Sequence, residues 1–209
     1  MDPNFWQQRW ERNQIRFHEG QANALLVKHF ASLALPPNRR FFVPLCGKTR
    51  DIAWLLSQGH AVVGAELSEL AIRQLFAELA LEPKIASLGK LLHYSAANID
   101  IFVGDIFDLS RDDIGAVDAI YDRAALIALP SDLRDRYSAH LVKITDAAPQ
   151  LLICYEYDQT LRNGPPFSVD GAEVARLYGT DYTLNLLERM DLDVEKGDPP
   201  EHDAVWLLR

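Results

Sequence analysis

Glu66 ends the apolar run Ala61-Val62-Val63-Gly64-Ala65-Glu66, which reads as a buried strand. A carboxylate at such an end can accept hydrogen bonds from both hydroxyls of an adenosine ribose. The alternative is a solvated residue that caps the helix starting near Ser68. The loop after the preceding run, Pro44-Leu45-Cys46-Gly47-Lys48-Thr49-Arg50-Asp51, holds one glycine. A dinucleotide site needs G-x-G-x-x-G so that backbone can approach a pyrophosphate. A P-loop needs a glycine where Phe42 stands. A lone glycine suits a nucleoside ligand that carries no phosphate.

Two further pairs stand at strand ends. Asp105 and Ile106 can meet an adenine, the carboxylate or nearby amides taking the exocyclic amine while the aliphatic side chain packs on the ring. Equally, Asp105 can cap the next turn. Asp122-Arg123 offers a guanidinium that could hold a ligand carboxylate or steady a substrate anion, or else a surface ion pair of small value. The N-terminal aromatics Phe5, Trp6, Trp10 and Phe17 precede His18 and Glu19, and Trp6 and Trp10 share one helical face. Such a stripe serves packing, or it forms a lid that stacks on a flat heterocycle and attracts a cation. The six histidines are scattered without metal-ligand spacing, and no C-x-x-C or G-x-S-x-G occurs, so no metal site or serine nucleophile is expected.

The elements that must position these residues alternate strand and helix. Strands are expected over 39–46, 61–66, 91–94, 99–103, 116–121, 150–155, 184–191 and 204–209, with 91–94 and 99–103 forming a hairpin. Helices are expected over Arg50 to Ser57, from Ser68 to Ala80, from an N-cap at Ser131 to about Asp146, and from an N-cap at Asp170 to about Tyr178. This alternation predicts an α/β fold with a mostly parallel sheet and right-handed crossovers. The last two strands lack an intervening helix and should pair antiparallel at one edge. No linker divides the chain, so one domain over 1–209 is expected, with 1–30 as a helical cover over the site.

Composition narrows the partners. The 209 residues carry a net charge of −9, which disfavours nucleic acid and anionic membrane as partners. No apolar run reaches the ~18 residues of a membrane span. Cys46 and Cys154 both fall in runs that read as buried strands, and a chain of this size needs no disulfide, so a reduced, cytoplasmic setting is expected. A monomer is the default.

Taken together, these residues resemble the thiopurine S-methyltransferase family. The likeness rests on Trp6 and Trp10, Arg16-Phe17-His18-Glu19, Phe42-Val43-Pro44-Leu45-Cys46-Gly47-Lys48, and Gly59 through Ser68. It continues through Asp105-Ile106-Phe107-Asp108-Leu109, Tyr121-Asp122-Arg123-Ala124-Ala125-Leu126 and Gly164-Pro165-Pro166-Phe167, in family order over nearly the whole chain. The short chain and plain N-terminus resemble the bacterial branch. The resemblance implies a three-layer sandwich, a Rossmann-like methyltransferase fold with a seven-stranded sheet, and S-adenosylmethionine as cofactor. It carries over Trp10, Leu45, Glu66 and Arg123 as cofactor contacts, Asp105 and Ile106 around the adenine, and Phe17 as a lid residue touching cofactor and substrate. It also implies aromatic or heterocyclic thiols as substrates, with selenium and tellurium compounds associated with bacterial members. In that scheme Arg123 also serves the reaction by favouring a thiolate through its charge. Two other classes share parts of the pattern. An NAD-dependent oxidoreductase would have the sheet and Glu66 but should show the glycine-rich turn; a non-catalytic sensor of S-adenosylmethionine would keep the pocket without turnover.

Overall fold

The computed structural model describes residues 3–195 and 197–209; Met1, Asp2 and Lys196 lie outside the described residues. Nine strands among them form one sheet: β1 (Arg40–Val43), β2 (Ala61–Glu66), β3 (Lys84–Leu88), β4 (Leu91–Ala96), β5 (Ile99–Val103), β6 (Ala119–Arg123), β7 (Gln150–Glu156), β8 (Leu184–Asp191) and β9 (His202–Leu208). Their order is β3-β4-β5-β2-β1-β6-β7-β9-β8. The helices are α1 (Pro3–Glu11), α2 (Ala24–His29), α3 (Arg50–Ser57), α4 (Glu69–Glu78), α5 (Arg111–Ile114), α6 (Ser131–Thr145) and α7 (Gly171–Tyr178).

The five central strands, β5-β2-β1-β6-β7, are parallel. β9 runs antiparallel to β7 and to β8, as the absence of a helix between the last two strands predicts. These seven strands correspond to the expected sheet, but the count of seven is corrected to nine. β3 and β4 extend the β5 edge as antiparallel strands. The β4–β5 hairpin is as expected. β3 was missed because all five of its residues are exposed, so no alternation marks it.

The sheet's two faces bury different sets of side chains, because successive residues of a strand point opposite ways. On one face Phe42, Ile120, Leu152 and Cys154 pack with Tyr137, Leu141 and Ile144 of α6 and Val174 and Tyr178 of α7. On the other, Phe41, Val43, Tyr121 and Ile153 pack with Leu25 and Leu26 of α2, Ile52 and Leu55 of α3, and Ile72, Leu75 and Phe76 of α4. Each large apolar side chain withdrawn from water here contributes roughly 1.5–3 kcal/mol. Helix starts are fixed by side chains: Thr49 accepts from the Asp51 amide, Ser68 from that of Ala71, and Asp170 from that of Glu173.

Four local expectations are corrected. The cover expected over 1–30 is helical only in part among the described residues; α1 and α2 flank an irregular stretch, and Asn13 turns into left-handed backbone at φ 52° where α1 stops. β1 ends at Val43, so Cys46 lies in the loop that follows rather than in a strand. β6 runs to Arg123 rather than stopping at Tyr121. Ser131 is the first residue of α6 and Pro130 is its cap.

Candidate active site at the mouth of the sheet

A cavity of about 1300 Å³ opens where the parallel strands end. All seven residues nominated from the sequence line it: Trp10, Phe17, Leu45, Glu66, Asp105, Ile106 and Arg123. The topology explains the convergence. β1 and β6 lie side by side, yet the crossovers from them leave towards different strands, and that reversal opens a crevice at the carboxyl ends.

Glu66 is the last residue of β2 and is only 6% exposed. The Gly47 amide donates to its Oε2 and the Ser68 amide to its Oε1, each at 2.8 Å. It is therefore a buried group and not a solvated one, although it does meet the start of α4. Burial raises its pKa above the usual carboxylate value, opposed by the amides of Ser68, Gly47 and Leu67. One backbone donor per oxygen leaves acceptor capacity on both.

The β1 loop approaches closely. Leu45 adopts φ 45° and Gly47 φ 51°, and a side-chain carbon on Gly47 would stand 2.9 Å from Cζ2 of Trp10. Ala124, just after β6, has φ 60°. Left-handed backbone at Leu45 and Ala124 costs on the order of 1–3 kcal/mol each, and such strain gathers at ligand sites. Trp10 is buried, and Phe17 meets it edge-on at 5.6 Å and Trp6 at 5.7 Å. Trp6, Trp10 and Phe17 all line the cavity, so the N-terminal stripe both packs and lines.

Asp105 caps the turn that follows it, its Oδ1 accepting from the Phe107 amide, and the residue also lines the cavity. Ile106 is buried beside it. Arg136, whose guanidinium lies 3.7 Å over the Phe107 ring, lines the same region.

Asp122 and Arg123 do not pair with each other. Because both belong to β6, they face opposite sides of the sheet. Asp122 is fully buried and accepts from the Tyr137 hydroxyl at 2.7 Å and the Leu126 amide at 3.1 Å. Arg123 lines the cavity, donates to the Phe17 carbonyl at 3.0 Å and is ion-paired with Glu19.

The model of the family described as thiopurine S-methyltransferase matches residues 1–205. The chain belongs to that family. It is 54% identical over 210 residues to the thiopurine S-methyltransferase of Xanthobacter autotrophicus, covering 100% of this chain and 99% of the relative. It is 50% identical to that of Gluconobacter oxydans, covering 97% of this chain and 92% of the relative. Among solved structures, a methyltransferase of Burkholderia thailandensis, with bound 1,6-didemethyltoxoflavin and S-adenosylhomocysteine, superposes with a TM-score of 0.68 at 16% identity. That likeness covers 99% of this chain and 86% of the other. An S-adenosylmethionine-dependent methyltransferase from Anabaena variabilis gives 0.65 at 16% identity, covering 99% of this chain and 95% of the other. These likenesses establish the Rossmann-like methyltransferase fold.

Within this family member, Asp203 also lines the cavity, from β9, and is not among the residues nominated from the sequence. A signal was present: a final strand antiparallel to β7 must begin where β7 ends, at the mouth of the sheet. The anchor of the N-terminal stretch was not read from the sequence either. The Asn23 amide donates to Oδ1 of the buried Asp51 at 2.7 Å, and the Tyr121 hydroxyl donates to its Oδ2 at 3.0 Å. No sequence spacing links residues so far apart.

Proposed function

We propose that this chain binds S-adenosylmethionine in the cavity and methylates the sulfur of aromatic and heterocyclic thiols, thiopurines among them. Glu66 carries the reading: a buried carboxylate at the end of β2, beside a loop with one glycine, suits ribose hydroxyls. No glycine-rich turn stands there to admit a pyrophosphate, which speaks against a dinucleotide. The relatives named thiopurine S-methyltransferase support the substrate class.

The residues present suit the cofactor. Glu66 would hold the ribose, the Leu45–Gly47 backbone and Arg123 the amino-acid tail, and Asp105 and Ile106 the adenine, with Trp10 closing over it. When bound, S-adenosylmethionine supplies a methyl group on a cationic sulfur. The protein's part is placement. Fixing the acceptor beside that methyl is worth on the order of 7–11 kcal/mol of barrier in well-aligned cases. Trp6, Trp10 and Phe17 exclude water and offer ring faces to a cation and a flat acceptor. Arg123 is the one basic group at the end of β6, and its charge favours the thiolate form of a bound thiol.

The reading extends to selenium and tellurium nucleophiles, and to a one-domain cytoplasmic monomer whose partners are small molecules. A net charge of −9 and two free buried cysteines support this part. No helix among the described residues is long and apolar enough to cross a membrane.

Calorimetry with S-adenosylhomocysteine and with NAD, followed by a labelled-methyl screen over thiopurines, thiols, selenite and tellurite, tests the proposal. Micromolar binding of S-adenosylhomocysteine with transfer to 6-mercaptopurine is expected. Binding of NAD in its place overturns the reading, and binding without any transfer turns it into that of a sensor. Arg123→Ala should lower kcat/KM for 6-mercaptopurine by roughly ten- to hundred-fold; unchanged efficiency removes Arg123 from the scheme.

A further inference from the structure

The cavity contains one carboxylate that cofactor binding leaves without a role. Asp203 is the second residue of β9. Because β9 is antiparallel to β7, Asp203 pairs with Tyr155 and Val205 with Ile153, and Ile153 in turn pairs with Arg123 of β6. Paired residues share a face of the sheet, as do alternate residues of one strand. Arg123, Tyr155 and Asp203 therefore project to the same side, and all three line the cavity.

The polar groups around Asp203 already have partners. Arg123 is held by Glu19 and the Phe17 carbonyl. The Tyr155 hydroxyl donates to Glu201, which also pairs with Arg162. Among the described residues, the Asp203 carboxylate takes part in no hydrogen bond or ion pair. It is nonetheless partly withdrawn from water, and burial raises its pKa, an effect that Arg123 opposes and Glu19 reinforces. Its oxygens keep contact with the open cavity and have no protein donor among the described residues, so a donor brought by the ligand finds them free to accept.

We propose that Asp203 is a specificity-determining residue, whose carboxylate accepts a hydrogen bond from a ring N–H of the heterocyclic acceptor and so turns the acceptor's sulfur towards Arg123. This rests on the methyl-transfer reading of the same cavity. It makes the preferred acceptor a flat thione or thiol with an N–H in the ring. It also works against acceptors that carry a carboxylate on the ring, since two like charges would then face each other in a poorly solvated site.

The test compares Asp203→Ala and Asp203→Asn with the parent on 6-mercaptopurine, which has ring N–H groups, and on thiophenol and 2-mercaptobenzoate, which have none. For Asp203→Ala, the ratio of kcat/KM on 6-mercaptopurine to that on thiophenol should fall roughly ten- to hundred-fold, mostly through KM. KM for 2-mercaptobenzoate should drop. Asp203→Asn, which keeps one acceptor oxygen, should recover part of the ratio. Calorimetric binding of 6-mercaptopurine to the protein loaded with S-adenosylhomocysteine should weaken in parallel, with no turnover involved. An unchanged ratio, whether both substrates suffer equally or neither does, overturns the role of Asp203. A parent protein that methylates none of the three thiols defeats the underlying reading instead.

Discussion

Arg123, at the end of β6, is ion-paired with Glu19 of the irregular stretch between α1 and α2. The tie continues inward. The Asn23 side-chain amide donates to both Glu19 oxygens at 3.3 Å, and the Asn23 backbone amide reaches the buried Asp51. The stretch carrying Phe17 is thus pinned at one end to Asp51 and at the other to Arg123, the residue proposed to meet the ligand.

Glu19→Gln should loosen that stretch without unfolding the protein. Glu19 is 39% exposed at its side chain, so the pair contributes under ~1 kcal/mol to global stability. Hydrogen exchange should accelerate across 12–23 while the urea midpoint moves little. Equal protection in both proteins would show that packing of Phe17 on Trp6 and Trp10 suffices to hold the stretch.

Gly47→Ala should be harmful for two separable reasons. Left-handed backbone at φ 51° disfavours any side chain, and the added carbon would sit 2.9 Å from the Trp10 ring. A loss of about 1–3 kcal/mol in stability is expected, with weaker S-adenosylhomocysteine binding. Trp10→Leu in the same chain should relieve the steric part only. A double-mutant cycle with no coupling between the two positions would contradict the contact.

How much of this was legible beforehand depended on whether local chemistry or distant packing shaped each element. β2 and α3 begin and end where expected, because a buried run defines the first and a capping threonine, Thr49, starts the second; β8 keeps its expected bounds as well. Glu66 was legible because strand ends in parallel sheets point at ligands. The apolar run at 39–46 was read too long because Leu45 and Cys46 are withdrawn from water by the site rather than by the sheet. Asp122 and Arg123 are neighbours in sequence, but β6 extends through both and turns them to opposite faces of the sheet. Asp203 was invisible to local pattern, since only the pairing of β9 with β7 carries it to the cavity.

Glu66→Gln should weaken S-adenosylhomocysteine binding by roughly ten- to hundred-fold, the loss expected when a charge-assisted hydrogen bond becomes neutral. The side-chain amide would also present a donor where Gly47 and Ser68 both donate, so one of those contacts must break. Calorimetry reads the affinity. Undiminished binding would remove Glu66 as the ribose acceptor and with it the main support for a nucleoside cofactor.

Asp122 allows a prediction in which pH alone is the variable. Burial pushes its pKa up to about 6 from the ordinary 3.8, even though the Tyr137 hydroxyl and two amides favour the charged form. Between those two values the native state holds the proton more tightly than the unfolded chain does, so stability falls as pH rises. Below about pH 4 both states are protonated and the penalty vanishes; above about pH 6 it is fully present, on the order of 3 kcal/mol for a shift of this size. Asp122→Asn does not titrate. Urea unfolding of parent and variant should therefore show a difference, parent minus variant, that declines by that amount from pH 4 to pH 7. A difference that stays level, or climbs, across this range would mean that the Tyr137 hydroxyl and its neighbouring amides compensate the buried charge in full.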